Sequence, residues 1–150
     1  MIRDDIKAAQ IAAMKARDTG TVSATRLIQA AIKNRDIELR TASSTPDDDV
    51  MVTEVMQKMI KQRRESVELY QKGGRQELAD TELAEIAVIE RFLPKQMSEA
   101  EAAAAIDAIA TDLGATSVKD MGRVMAALKE RHAGQMDMSK ASALVKARLG

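Results

Sequence analysis

Leu93-Pro94-Lys95-Gln96-Met97-Ser98-Glu99-Ala100-Glu101 is the stretch on which the fold turns. Proline lacks an amide hydrogen and its ring clashes with the preceding turn, so a helix arriving at Leu93 stops there. Ser98 and Glu101 then stand at capping-box spacing, in which each side chain takes the other residue's backbone N–H. One helix ends and another begins within this stretch. It divides the chain into an N-terminal helical domain, residues 1–93, and a C-terminal helical domain, residues 94–150.

Working back from the cut, a fourth helix runs from about Gln76 to Phe92 and places Leu78, Ile86, Ile89 and Leu93 on one side. Gly73-Gly74 ends a long third helix that carries Val52, Val55, Met56, Met59, Ile60, Val67 and Tyr70. Asp47, Asp48 and Asp49 put negative charge at its start, where carboxylates cap free amides and oppose the helix dipole. A second helix from about Val22 to Arg40 turns Ile28, Ala31 and Ile32 inward and Arg26, Lys33, Arg35 and Glu38 outward, until the run from Thr41 to Pro46 breaks it. Ile2, Ile6, Ala9 and Ala13 mark the first helix, with Arg17-Asp18-Thr19-Gly20 as its stop.

Beyond the cut, a fifth helix has Ala102, Ile106, Ile109 and Leu113 at helical spacing and stops at Gly114, and Ser117 is placed to cap the sixth. The sixth reads Val118-Lys119-Asp120-Met121-Gly122-Arg123-Val124-Met125-Ala126-Ala127-Leu128-Lys129 and is closed by Gly134. Val118, Met121, Met125 and Leu128 form an apolar stripe there. Gly122, beside Met121 and Val118, costs such a helix about 1 kcal/mol relative to alanine, which points to close helix packing or close approach of a ligand at Gly122 and Met125. A last helix, about Met138 to Leu149, uses Ala141, Leu144, Val145 and Leu149. No run alternates as a strand. The expectation is an all-α protein: a four-helix N-terminal part followed by a small three-helix module.

Composition agrees with this fold class. The 150 residues are 45% hydrophobic and 31% charged, with one Phe, one Tyr, no Trp and ten Met, so the cores must be aliphatic and methionine-rich. The lack of Cys removes disulfides and thiolate chemistry and fits a reducing compartment, so the cytoplasm is the expected location. No apolar run is long enough to span a bilayer, and the N-terminus lacks a signal-peptide core, so no membrane partner is expected. Basic and acidic residues balance at 23 each, 15 against 16 before Pro94 and 8 against 7 from it onward. A long-range field for polyanions is therefore missing, DNA is not expected as a partner, and any nucleic-acid contact must come from a local patch.

Catalytic equipment is sparse. His132 stands alone at a helix end, so no Cys/His dyad or His-rich metal cluster can be assembled, and no catalytic residue, metal or cofactor is expected. Glu82 with Glu85, or Glu85 with Glu90, has the look of an acid/base pair, but on a Glu-rich helix the spacing equally suits a solvated face paired with Arg91. Gly73-Gly74 lacks the flanking strand and the lysine of a phosphate loop. Two basic clusters stand out. Lys58, Lys61, Gln62, Arg63 and Arg64 crowd the third helix, where Lys61 and Arg64 share a face; pairing with Glu54, Glu65 or Glu68 is the alternative use of those charges. Lys119, Arg123, Lys129 and Arg131 lie on the sixth helix, with Lys140, Lys146 and Arg148 on the last. Neither cluster has aromatic residues for base stacking, which leaves recognition of RNA backbone or shape.

Several ordered blocks resemble the YqeY-like proteins of the GatB/YqeY domain family, over essentially the whole chain. Arg26-Leu27-Ile28-Gln29-Ala30-Ala31-Ile32-Lys33-Asn34 with Glu38, Lys61-Gln62-Arg63-Arg64-Glu65-Ser66, Tyr70, Gly74-Arg75, Leu78, Glu82 and Phe92-Leu93-Pro94 carry it in the first part. In the second part, Lys119-Asp120-Met121-Gly122-Arg123-Val124-Met125 and Gly134 look like the helix shared with the tail of the B subunit of glutamine-dependent aminoacyl-tRNA amidotransferase. Gln135-Met136-Asp137-Met138 departs from the small-residue turn of the family. The resemblance implies an all-helical accessory protein whose C-terminal module is similar to one that holds tRNA, and it brings carbon–nitrogen ligation with glutamine as amido donor only by association. The expected function is non-catalytic contact with tRNA or a tRNA-handling enzyme through Lys119, Arg123 and Lys129, with Lys61 and Arg64 as a second patch. The alternative is a protein-interaction scaffold that docks through Met-rich helix surfaces and uses no RNA.

Overall fold

A computed structural model describes residues 1–132 and 134–150. Among them are seven α-helices and no strand: α1 (Ile2–Ala16), α2 (Thr19–Leu39), α3 (Asp48–Lys72), α4 (Gln76–Glu90), α5 (Glu99–Leu113), α6 (Met121–Arg131) and α7 (Met138–Leu149). A short 3₁₀ turn, Val118–Asp120, leads into α6. The chain divides into two compact units, Met1–Leu93 and Pro94–Gly150.

In the first unit α3 lies along α4 and α1 along α2, while α2 also packs against both α3 and α4. Ile6, Ile28, Val52, Met56 and Ile89 are fully enclosed at the centre, and Phe92 and Leu93 pack on the edge of the same core. Burying each such aliphatic side chain contributes about 1.5–3 kcal/mol, which is how a core without tryptophan holds. In the second unit α5, α6 and α7 pack mutually around Ile106, Ile109, Val124, Leu128 and Val145. Met51, Met56, Met59 and Met136 are buried, and Met97, Met121, Met125 and Met138 are packed against the C-terminal core. The methionines therefore fill gaps rather than forming the Met-rich docking surfaces that the scaffold reading requires; of the helical ones, Met14 is the exposed exception.

Local signals at the boundary act as the sequence leads one to expect. Ser98 Oγ accepts from the Glu101 amide at 3.1 Å and Glu101 Oε1 from the Ser98 amide at 3.3 Å. Gly114 at φ 63° and Gly134 at φ 77° hold left-handed conformations that a side chain would strain. The Met97 amide donates to the Gln135 carbonyl at 2.8 Å, which fastens the start of this unit to its own α6–α7 loop. There Asp137 caps α7 by accepting from the Ser139 amide at 2.8 Å, so the stretch that departs from the family pattern supplies a helix start of its own.

Four expectations are corrected. First, α2 begins at Thr19, not near Val22, because Asp18 caps it by accepting from the Thr21 amide at 3.1 Å and the Thr21 hydroxyl at 2.7 Å. Gly20 falls inside the first turn, and Arg17, at φ 58°, makes the left-handed stop of α1. Second, Asp47 makes no side-chain cap on α3. Its neighbours reach across the unit instead: Asp49 Oδ1 accepts from the Ile2 amide at 3.0 Å, and Asp48 receives Arg3 at 2.7 Å. Third, α4 ends at Glu90, ahead of Phe92. Fourth, Ser117 stands at the N-cap of the 3₁₀ turn rather than of α6 itself, in a capping box with Asp120, whose carboxylate accepts from the Thr116 amide at 3.1 Å and the Ser117 amide at 3.4 Å.

Arg3 ties three helices together, with Asp36 at 2.9 Å and Asp48 at 2.7 Å. Hydrogen bonding from Arg3 holds the Asp36 carboxyl below its usual range. A depressed carboxyl stabilises the fold above the unfolded-chain value of about 3.9 and loses that contribution as pH falls through the folded value. The Arg3 side chain is 39% exposed, so the effect is small. Arg3→Met should cost no more than about 1 kcal/mol at neutral pH, and the difference should vanish near pH ~2. Urea unfolding at both pH values checks this, and a difference that persists in acid would assign Arg3 a packing role instead.

Candidate functional site

The face that α6 turns to solvent is the best-defined candidate. Met121, Val124, Met125 and Leu128 face the core, with Val124 and Leu128 fully buried. Val118 does not belong to that stripe. It is exposed in the 3₁₀ turn, whose tighter winding takes it off the helical register, and Val124 occupies the inward position.

Helical geometry then sends Gly122, Arg123, Ala126 and Lys129 outward, and Lys119 precedes Arg123 by one turn. Gly122 has open space around it: a Cβ built there meets no heavy atom within 4 Å. The packing explanation for this glycine therefore fails within the described chain. Met125 packs inward while Gly122 lies open, so the structure separates these two residues.

Asp120 organises the basic edge. Besides the two backbone amides, it accepts from Arg123 Nη2 at 3.0 Å, and Arg123 also reaches the Leu113 carbonyl at 3.5 Å. Hydrogen bonds from the Thr116 amide, and then from Arg123, hold the Asp120 carboxyl below its usual range. Asp120 and Arg123 are thus a local pair at the α5–α6 turn, and the i,i+3 spacing of Asp and Arg is the sequence signal for it. Arg131 pairs with Asp112 at 3.1 Å and Arg148 pairs with Asp107, both joining back to α5. Lys119, Lys140 and Lys146 remain exposed.

On α3 the predicted patch is partly consumed by the fold. Arg63 Nε meets Glu85 at 2.8 Å and Glu82 at 3.9 Å, and Arg64 meets Glu90 at 3.1 Å. Glu82 and Glu85, which resembled an acid/base pair, are a clamp on Arg63 of α3, and their partner is not Arg91. Lys61 and Arg64 are both exposed, on a different compact unit from Lys119, Arg123 and Lys129. His132 Nδ1 lies 3.0 Å from Gln135 Oε1. Among the described residues no group of three or more His, Cys, Asp or Glu side chains is arranged to hold a metal ion, and no helix is long and apolar enough to cross a membrane.

Residues 3–149 match the family model described as Yqey-like protein. The chain belongs to the YqeY-like family. Within the curated proteins it is similar to altered inheritance of mitochondria protein 41, mitochondrial, of Eremothecium gossypii, with 32% identity over 118 residues, covering 77% of this chain and 60% of that protein. The protein of the same name from Lachancea thermotolerans is 32% identical over 114 residues, covering 75% of this chain and 57% of its own length. The matched region therefore spans 60% or less of the length of these curated relatives. Both relatives carry a mitochondrial name.

Proposed function

We propose that this YqeY-like protein is a non-catalytic helical accessory module that binds tRNA, alone or on a tRNA-handling enzyme, through the outer face of α6. The observation that carries this reading is the open surface at Gly122, flanked by Lys119 and Arg123 and followed two turns later by Lys129. A helix face without a side chain at its centre admits a phosphate backbone closely, and cations around it neutralise the phosphates. The Asp120–Arg123 pair does not oppose this, because an exposed ion pair is worth at most about 1 kcal/mol and a phosphate can recruit the guanidinium from it.

The likeness of residues 119–125 to the tail of the amidotransferase B subunit supports the same assignment. Carbon–nitrogen ligation with glutamine as amido donor would then belong to the enzyme served, and this chain would hold the RNA. The role asks for a compartment that contains tRNA. The cytoplasm meets that requirement, and so does the mitochondrion named for the two relatives.

Titration of purified tRNA against the wild type and Lys119→Ala/Arg123→Ala/Lys129→Ala at two salt concentrations tests the assignment. Each lost phosphate contact should flatten the dependence of log affinity on log salt by about 0.7–0.9, so the triple variant should lose roughly 2–3 in slope. Gly122→Ala should leave the helix intact, or firmer by about 0.5–1 kcal/mol, while weakening tRNA binding severalfold. Equal binding by wild type and triple variant at both salts defeats the proposal. Lys61→Ala/Arg64→Ala in the same assay reports whether the α3 patch contributes.

A further inference from the structure

The helix α2 carries a second stripe besides the one it buries. Thr21, Ala24, Thr25, Ile28 and Ile32 point into the core. Val22, Arg26, Leu27 and Ala30 recur at helical spacing on another side and, with Met14 and Arg17 of the α1 end, line an open groove. Its floor is apolar: Met14 is 54% and Leu27 42% exposed, although both could have been polar at no cost to the core. No lining residue is acidic.

Both arginines at the groove are uncommitted. Arg3, Arg35, Arg63, Arg64, Arg75, Arg123, Arg131 and Arg148 all hold carboxylates. Neither Arg17 nor Arg26 joins an ion pair among the described residues, and of the other arginines only Arg40 and Arg91 share that state. Arg17 is also the one described non-glycine residue with positive φ, at 58°, in a helix-stop position where glycine is preferred and a Cβ costs about 1 kcal/mol. An arginine held there puts a guanidinium at the mouth of an apolar groove at the expense of local backbone energy.

From Thr19 to Ala30 the groove follows α2 for about 16 Å, the rise of three helical turns. That length suits a short amphipathic helix with anchors at i, i+3, i+4 and i+7. Two arginines in a lining that has no acidic residue select acidic flanks on the incoming helix. RNA would gain little from a floor of Met and Leu with no ring to stack on. We propose that the α1–α2 groove docks an acidic amphipathic helix of a partner protein, with its apolar face on Met14, Val22 and Leu27 and its carboxylates on Arg17 and Arg26.

A display library tests this with the full chain as bait. The library consists of helical peptides of three to four turns with a fixed Leu/Met stripe and flanks randomised among Glu, Lys and Gln. Glu-flanked peptides should be enriched, and their affinity should fall at least about tenfold in Leu27→Asp and about three- to tenfold in Arg17→Gly/Arg26→Gln, with loss of salt dependence. Arg17→Gly should melt no lower than the wild type, since glycine relieves the left-handed stop, so the weaker binding cannot be ascribed to misfolding. The proposal is overturned by Lys-flanked or neutral winners, by no enrichment, or by affinities that ignore Leu27→Asp. It also fails if Leu27→Asp removes self-association or tRNA binding, because the groove would then belong to a second copy or to RNA. The tRNA assay on α6 variants is read separately, so either assignment can fail without the other.

Discussion

Leu128→Ala is expected to unfold the C-terminal unit and leave the N-terminal unit folded. Leu128 is fully buried between α5, α6 and α7, in a core with no aromatic residue and no disulfide. Truncating a buried leucine costs about 2–5 kcal/mol, through lost burial and the cavity left behind. A three-helix unit limited to Pro94–Gly150 has about 3–5 kcal/mol to lose, so this single change uses most or all of its stability. The N-terminal unit keeps its own core around Ile28, Met56 and Ile89. Amide NMR spectra of the variant should therefore lose the dispersed signals of residues in α5–α7 and keep those of α1–α4. Loss of both sets together would show that the division at Leu93–Pro94 has no thermodynamic meaning. Retention of both with a small shift in melting would show a C-terminal unit far more stable than its size implies. Because Leu128 faces away from the outer surface of α6, the same variant should lose tRNA binding through unfolding, while Lys119→Ala/Arg123→Ala/Lys129→Ala should lose it in a folded protein.

The parts of this molecule that could be read in advance are those governed by neighbours in sequence. Helical period identifies the elements, Ser98 and Glu101 mark the start of α5, and Gly114 and Gly134 mark stops, because each signal acts within one or two turns. Arg123 and Lys129 fall on the outer face of α6 for the same reason, while Lys119 is exposed in the 3₁₀ turn before it. The errors have a common cause in choices made between elements or between adjacent local signals. Asp18 and Gly20 both offer punctuation at the α1–α2 turn, and the cap on Thr21 prevails while Arg17 takes the left-handed position. Asp48 and Asp49 could have served their own helix, yet their partners are Arg3 and the Ile2 amide on α1. Gly122 looked like a packing glycine because its pattern neighbours are apolar, but the 3₁₀ turn before α6 takes Val118 off the core side and leaves Gly122 in the open. The α1–α2 groove could not be read at all, since Met14 and Leu27 become neighbours only when the two helices pack.

Arg63 shows most directly how a residue that looks functional by type can be structural by placement. Its side chain is 15% exposed, and it connects α3 to α4 through Glu85 at 2.8 Å and Glu82 at 3.9 Å, while Nη1 donates to the Met59 carbonyl at 3.3 Å. Arg63→Ala leaves two carboxylates, each 23% exposed, facing each other without a cation and with part of the α3–α4 seam emptied. Breaking a buried pair by removing one partner costs about 3–5 kcal/mol, and the residual exposure here lowers the expectation to roughly 2–3 kcal/mol. Arg63→Met keeps the stem in the seam and should recover part of that loss, so the difference between the two variants measures packing. Adding Glu85→Gln to Arg63→Met should cost little more, because the charge left stranded by the first substitution is removed by the second. A double-mutant cycle read by urea denaturation should therefore give a coupling energy of about 1–2 kcal/mol. Strictly additive losses would mean that the clamp contributes nothing as a pair and that Arg63 acts through its stem alone. tRNA binding by the folded fraction of Arg63→Met should equal that of the wild type, because a guanidinium already bound between two carboxylates on α4 is not offered to a phosphate.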